Sequence, residues 1–179
     1  MVAEVGGSRY PKVGTTVAAA LGIQPRDLAG GNLPVQVASS GLPFLYVALD
    51  SRAAVDAAAM DRAKLCALLR VLDLEELPVF VFSPEPADDG ATVYSRMFAP
   101  VLGIPEEPST GSASGPLGAY LLKYNAVSAE TGSRLVSLQG VRMGRPSHIH
   151  IALSIHAGVL EEVRIGGEAV VVGKGTVPA

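Results

Sequence analysis

Apolar and polar positions along the chain recur with two periods, and the change from one to the other marks out its elements. Val13–Leu21 is rich in Ala and closes at Gly22, a residue suited to the left-handed turn after a helix, so the spacing predicts a short helix there. Residues 34–39 and 44–49 flank Ser40-Gly41-Leu42-Pro43 in the pattern of strand, turn and strand. Ser51 and Asp61 stand where N-caps of two Ala-rich helical pieces belong, the second running to about Leu72. Val79-Phe80-Val81-Phe82, an acidic turn around Asp88-Asp89-Gly90 and residues 92–98 predict a β-hairpin.

The hairpin delivers the chain to Glu106-Glu107-Pro108-Ser109-Thr110-Gly111-Ser112-Ala113-Ser114-Gly115-Pro116. Two carboxylates, a run of small residues and a second proline predict a loop feeding a helix whose first turn holds Pro116, where a missing N–H costs least. Leu117, Ala119, Tyr120, Leu121 and Leu122 leave that helix almost no polar face before Lys123, so it belongs inside the molecule. Downstream, residues 134–138, 147–153, 159–165 and 169–172 read as short strands, separated by Gly140, Gly144-Arg145-Pro146 and Gly166-Gly167. Residues 1–12 carry no period and read as a lead-in or a remnant linker. The fold class expected is α+β, a curled mixed sheet wrapped about one apolar helix.

Totals narrow the function classes. The chain has 179 residues, 49% of them apolar, and a net charge of −3, enough for one domain with a real core and no basic cluster to meet a nucleic acid. No apolar run approaches the ~20 residues that span a bilayer, and the first residues lack a signal-peptide pattern, so a cytoplasmic protein that does not enter the membrane is expected. Cys66 is the single cysteine, which excludes an internal disulfide; its setting in Lys64-Leu65-Cys66-Ala67-Leu68-Leu69 predicts a buried structural thiol.

Candidate chemistry concentrates at the start of the apolar helix. Unpaired N–H groups and the positive end of the macrodipole suit a carboxylate or phosphate there. Thr110, Gly111, Ala113 and Ser114 are the expected anion-binding residues, although Ser112 or Ser114 can equally serve as a plain cap. Glu106 and Glu107 at the mouth of a positive helix end are candidates for unequal environments and for proton transfer, or are two solvated loop acids. Arg145 is a fixed bidentate donor for a carboxylate, or an exposed turn arginine. His148 and His150 share one face of a strand, with His156 as a conceivable third ligand, but no thiol or well-placed carboxylate completes a metal set and a solvated strand face has the same composition. Residues 110–115 only imitate the Gly-x-Ser-x-Gly elbow of a hydrolase.

Arg96-Met97-Phe98-Ala99-Pro100, Gly103-Ile104 and the segment from Glu106 to Pro116 together resemble the signature of the PhzF-like isomerases of phenazine biosynthesis, relatives of diaminopimelate epimerase. Gln139-Gly140 with Met143-Gly144-Arg145-Pro146-Ser147 resembles a second block of that family, Val163-Arg164-Ile165-Gly166-Gly167-Glu168-Ala169-Val170 the closing one, and Ser40-Gly41-Leu42-Pro43-Phe44 an earlier one. The resemblance implies a fold of two similar domains, each a barrel-like sheet around a central helix, with a cofactor-free acid/base site in the cleft between them. Residues 13–179 resemble the second domain alone; the first domain's Glu and its Gly-His-Pro-Thr block have no counterpart in residues 6–15. Glu107 stands where the family pattern has Asp, one carbon shorter, and by position takes its place beside the substrate. Ser112 and the backbone around Gly111 then hold the substrate. The activity implied is proton transfer on a small carboxylate, in a cleft completed by a second copy of the chain or by a separately encoded first half. A catalytically incomplete, anion-binding module is the other outcome the resemblance allows.

Overall fold

In the computed structural model, which describes residues 2–4, 13–128 and 134–176, the strands are β1 (Val2–Glu4), β2 (Gln36–Ser39), β3 (Pro43–Ala48), β4 (Val79–Ser83), β5 (Val93–Ala99), β6 (Ile104–Glu107), β7 (Leu135–Gln139), β8 (Ser147–His156) and β9 (Val159–Gly166). The helices are α1 (Val13–Leu21), α2 (Arg52–Ala57), α3 (Arg62–Val71) and α4 (Gly111–Lys123). The strands join one mixed sheet in the order β1-β2-β3-β4-β5-β7-β8-β9, with β6 paired to β5 beside that path. Neighbours are antiparallel except β3 with β4 and β5 with β7, whose connections carry the helices a parallel crossover needs. The sheet curls into a half-barrel.

Burial on both faces explains why β3 and β4 read as unbroken apolar runs. Phe44, Tyr46, Phe80 and Phe82 face α4, where they meet Leu117, Tyr120 and Leu121. Leu45, Val47, Val79 and Val81 face the other way, into a second core with Val17 and Leu21 of α1 and Leu65, Leu68 and Leu69 of α3. Only one helix was expected against the sheet; α1, α2 and α3 cover its other face, because alternate residues of β3 and β4 are apolar on both sides. Ser51 and Asp61 do cap α2 and α3, accepting from the amides of Ala54 at 3.1 Å and Lys64 at 3.1 Å. Cys66, read as buried, is half-buried, since it lies one residue off the α3 stripe that enters the core.

Three further expectations change. The small residues before Pro116 are helix, not loop: α4 begins at Gly111 and holds Pro116 in its interior, so the Ser112 carbonyl loses its helical donor. Ser112 is exposed, which leaves that carbonyl in reach of water. Glu106 and Glu107 lie in β6 rather than in a loop. Residues 169–172 form no strand, and Val170, Val171 and Val172 are 84%, 82% and 94% exposed. β9 ends the sheet, so this run has no neighbour with which to satisfy a ladder. Val2–Glu4, within the expected lead-in, pairs with β2, and residues 5–12 lie outside the described residues. No helix among the described residues is long and apolar enough to cross a membrane.

Arg96 ties the outer helix layer to β6. Its guanidinium grips Glu106 with two bonds of 2.8 Å and donates to the carbonyls of Val55, Asp56 and Ala58 at 3.0, 3.1 and 2.7 Å, at the negative end of α2. Because Arg96 is only 8% exposed, Arg96→Met strands a carboxylate and three carbonyls together, and is expected to cost about 3–5 kcal/mol in urea unfolding.

Burial also pushes the Tyr46 hydroxyl above the ordinary tyrosine range, and that of Tyr120 likewise, with Tyr124 adding to the second. The folded state therefore keeps these protons at a pH where the unfolded chain has lost them. Stability is expected to fall as pH rises past the ordinary tyrosine value of about 10, and Tyr46→Phe to flatten the slope of unfolding free energy between pH 9 and pH 11.

Candidate active site

The site forms where β5 changes partner. Along one edge of β5, Val93, Tyr94 and Ser95 pair with β7, while Met97 and Ala99 pair with β6. Gln139 ends β7 opposite Ser95, and Glu107 ends β6 opposite Met97, so two strands that never pair with each other bring their last residues together. The gap between them is closed by the fully buried side chain of Gln139. Its Nε2 donates to the Glu107 carbonyl at 2.8 Å and to Thr110 Oγ1 at 3.0 Å, and its Oε1 accepts from the Thr110 amide at 3.1 Å. Thr110 Oγ1 in turn donates to Glu107 Oε2 at 3.3 Å.

That network sets the start of α4. Thr110 is the N-cap residue, but no side chain caps the helix. The Thr110 carbonyl accepts from the amides of Ala113 and Ser114 and from Ser114 Oγ at 2.9 Å. Ala113 and Ser114, expected among the anion donors, are thus buried and already bonded, and neither Ser112 nor Ser114 acts as a cap. The amides left without an intramolecular partner among the described residues are those of Gly111 and Ser112, the two exposed residues of the first turn. Further along, a Cβ on Gly118 would lie 2.8 Å from Ile151 Cγ2 and 2.9 Å from Leu153 Cδ2, so the helix beds directly on β8.

Gly111 opens onto a cleft of about 450 Å³. Ser109 and Gly111, residues 146–149 and residues 165–168 line it. Of the residues expected here, Gly111 lines the cleft, while Glu107, Thr110 and Ser112 stand in the segment on either side of it. Arg145 is exposed in the turn before Pro146 and makes no ion pair among the described residues; its contribution is main-chain, the amide bonding Gly140 O at 3.0 Å.

The two adjacent carboxylates do have unequal surroundings, because consecutive strand residues face opposite sides of the sheet. Glu106 is locked to Arg96, and Glu107 is held on the α4 side through Thr110. His148 and His150 are exposed on β8, with Ile149 and Ile151 turned inward, and no group of three or more His, Cys, Asp or Glu converges among the described residues. The residue that sequence reasoning passed over is Gln139, quoted only as part of a block. The signal was its parity: Leu135, Ser137 and Gln139 share the buried face of β7, and a glutamine at such a position requires partners.

A curled half-barrel with an uncapped helix start beside Glu107 is the framework on which this chain compares with known proteins. The chain belongs to the phenazine biosynthesis-like protein family, PhzC-PhzF, whose model matches residues 8–175. It is 33% identical over 170 residues to the uncharacterized isomerase YddE of Escherichia coli K12, covering 92% of this chain and 55% of that protein. It is 32% identical over 150 residues to the trans-2,3-dihydro-3-hydroxyanthranilate isomerase of Pseudomonas chlororaphis, covering 84% of this chain and 50% of that one. Among solved structures it matches a PhzF-family phenazine biosynthesis protein of Bacillus anthracis, with a TM-score of 0.74 at 20% identity over 93% of this chain and 54% of that one. A predicted epimerase of Pseudomonas aeruginosa matches with a TM-score of 0.66 at 26% identity, over 97% and 56% of the two chains. The chain spans about half the length of the curated relatives it matches.

Gly140 keeps the end of β7 in place. With φ of +79°, a Cβ there would lie 2.3 Å from the Arg145 carbonyl oxygen and 2.6 Å from that of Pro108. Gly140→Ala is expected to cost about 2–4 kcal/mol by urea unfolding, and to shift the NMR signals of Pro108, Ser109 and Gly111 more than those of α1.

Proposed function

We propose that this chain supplies the anion-binding half of a PhzF-type isomerase that moves a proton on a small carboxylate substrate without a cofactor. The observation that carries the reading is the pairing of two free amides, at Gly111 and Ser112, with a carboxylate tethered three residues before the N-cap, at Glu107. The substrate carboxylate sits on the amides, as anions do at helix starts. Glu107 takes a proton from carbon, the electron pair of the broken C–H bond spreads into the adjacent unsaturated or carboxylate group, and a proton is returned at another carbon or on the opposite face. Family membership and the isomerase names of relatives support this chemistry, and the diaminopimelate-epimerase-like half with α4 at its centre is the fold that goes with it.

We propose that a second copy or a separately encoded first half completes the cleft that these residues line. A second carboxylate from that partner then provides the opposing acid or base. The test is solvent deuterium incorporation into small unsaturated amino and hydroxy acids, measured by mass spectrometry with the chain alone and with a first-domain polypeptide of a relative added. Incorporation is expected in at least one of the two, and Glu107→Gln is expected to lower it by about 10²–10⁴-fold. Incorporation unchanged in Glu107→Gln removes Glu107 from the mechanism.

A further inference from the structure

We propose that Gln139 is the positioning residue of this site, and that it acts by fixing the direction in which the Thr110 hydroxyl points its proton. The inference rests on the reading of Glu107 as the acid/base group and adds how that group is held.

The argument is one of donors and acceptors. An amide side chain can be turned end for end, but here the neighbours decide: Oε1 faces the Thr110 N–H, which can only donate, and Nε2 faces the Glu107 carbonyl, which can only accept. The reversed amide sets donor against donor and acceptor against acceptor. With Nε2 so placed, its second proton goes to Thr110 Oγ1. The hydroxyl then receives a bond on one lone pair and directs its own proton to the acceptor within reach, Glu107 Oε2. The chain of donation therefore runs one way, from Gln139 to Thr110 to Glu107. Its consequence is an asymmetric carboxylate. Oε2 is occupied by the hydroxyl, and Oε1, which accepts no bond from the described residues, is the oxygen left for a substrate proton. Burial makes the arrangement stiff, since Gln139 is fully buried and Thr110 is 4% exposed, so neither has water as an alternative partner. β7 and β6 each contribute only a terminal residue, so the amide also holds the two strand ends at one separation.

The experiment uses the full chain with threonine labelled for proton detection. In the native protein the Thr110 hydroxyl proton is expected as a resolved signal, protected from exchange, with a cross-peak to the Gln139 side-chain amide. It is expected to vanish in Gln139→Met; in Gln139→Glu, whose second oxygen can only accept, the Thr110 proton turns from Glu107 toward position 139 and its signal shifts; and with serine labelled instead, the signal survives in Thr110→Ser. A hydroxyl signal unchanged in both Gln139 variants overturns the proposal. In the exchange assay, Gln139→Glu is expected to lower kcat by about 10²-fold with KM changed less than about twofold, because a displaced base costs rate rather than ground-state binding; equal changes in both overturn the positioning role. The reading beneath it fails separately: acetate that leaves the Gly111 and Ser112 amide signals of the native chain unmoved removes the anion site, while the hydroxyl experiment still decides the direction of the relay.

Discussion

Everything at this site depends on a single edge of β5 serving two strands in succession. An interior strand must satisfy its main-chain donors and acceptors along its whole length, and β5 does so with β7 over its first part and with β6 over its last. Where the two partners meet, the sheet has a seam, and α4 starts beside it because the chain leaves β6 there. On one side of the seam lie the Glu107 carbonyl and the Thr110 amide. Gln139 bridges them, and the polar groups it needs are those the seam provides.

The two layers around the sheet serve different ends. The α1, α2 and α3 side is stitched by apolar contacts and by Arg96, whose guanidinium consumes Glu106 and the end of α2 in one cluster. The α4 side carries aromatic packing whose hydroxyls are all tied to main chain or side chain: Tyr46 donates to Ala113 O at 2.6 Å and Tyr120 to Pro34 O at 2.7 Å. A sequence doublet of like charges is thereby split, Glu106 ion-paired to Arg96 on one face and Glu107 hydrogen-bonded to Thr110 on the other.

Much of this was legible beforehand. The caps at Ser51 and Asp61, the hairpin of β2 and β3, and the helix ending at Gly22 follow from local chemistry, and the structure has them within a residue or two. The family blocks around Glu106–Pro116 and Gln139–Ser147 pointed to the elements that meet at the seam. What could not be read was set by tertiary contact. Proline inside α4 is tolerated because the carbonyl it orphans is in an exposed turn, and a strand at 104–107 exists only because β5 has an edge to offer. Residues 169–172 have strand propensity without a neighbour, the reverse case. Gln139 needed both the parity of β7 and the three-dimensional position of Thr110 to show its role.

The bed of α4 on β8 has a consequence for how this family of sequences can change. With only hydrogen at Gly118 between the helix backbone and the methyl groups of Ile151 and Leu153, the rod has no clearance to slide or roll. A bulkier residue at 118 therefore forces the side chains of Ile151 and Leu153 to give way. The amides at the far end inherit that immobility. Their arrangement is fixed by folding, before anything meets them.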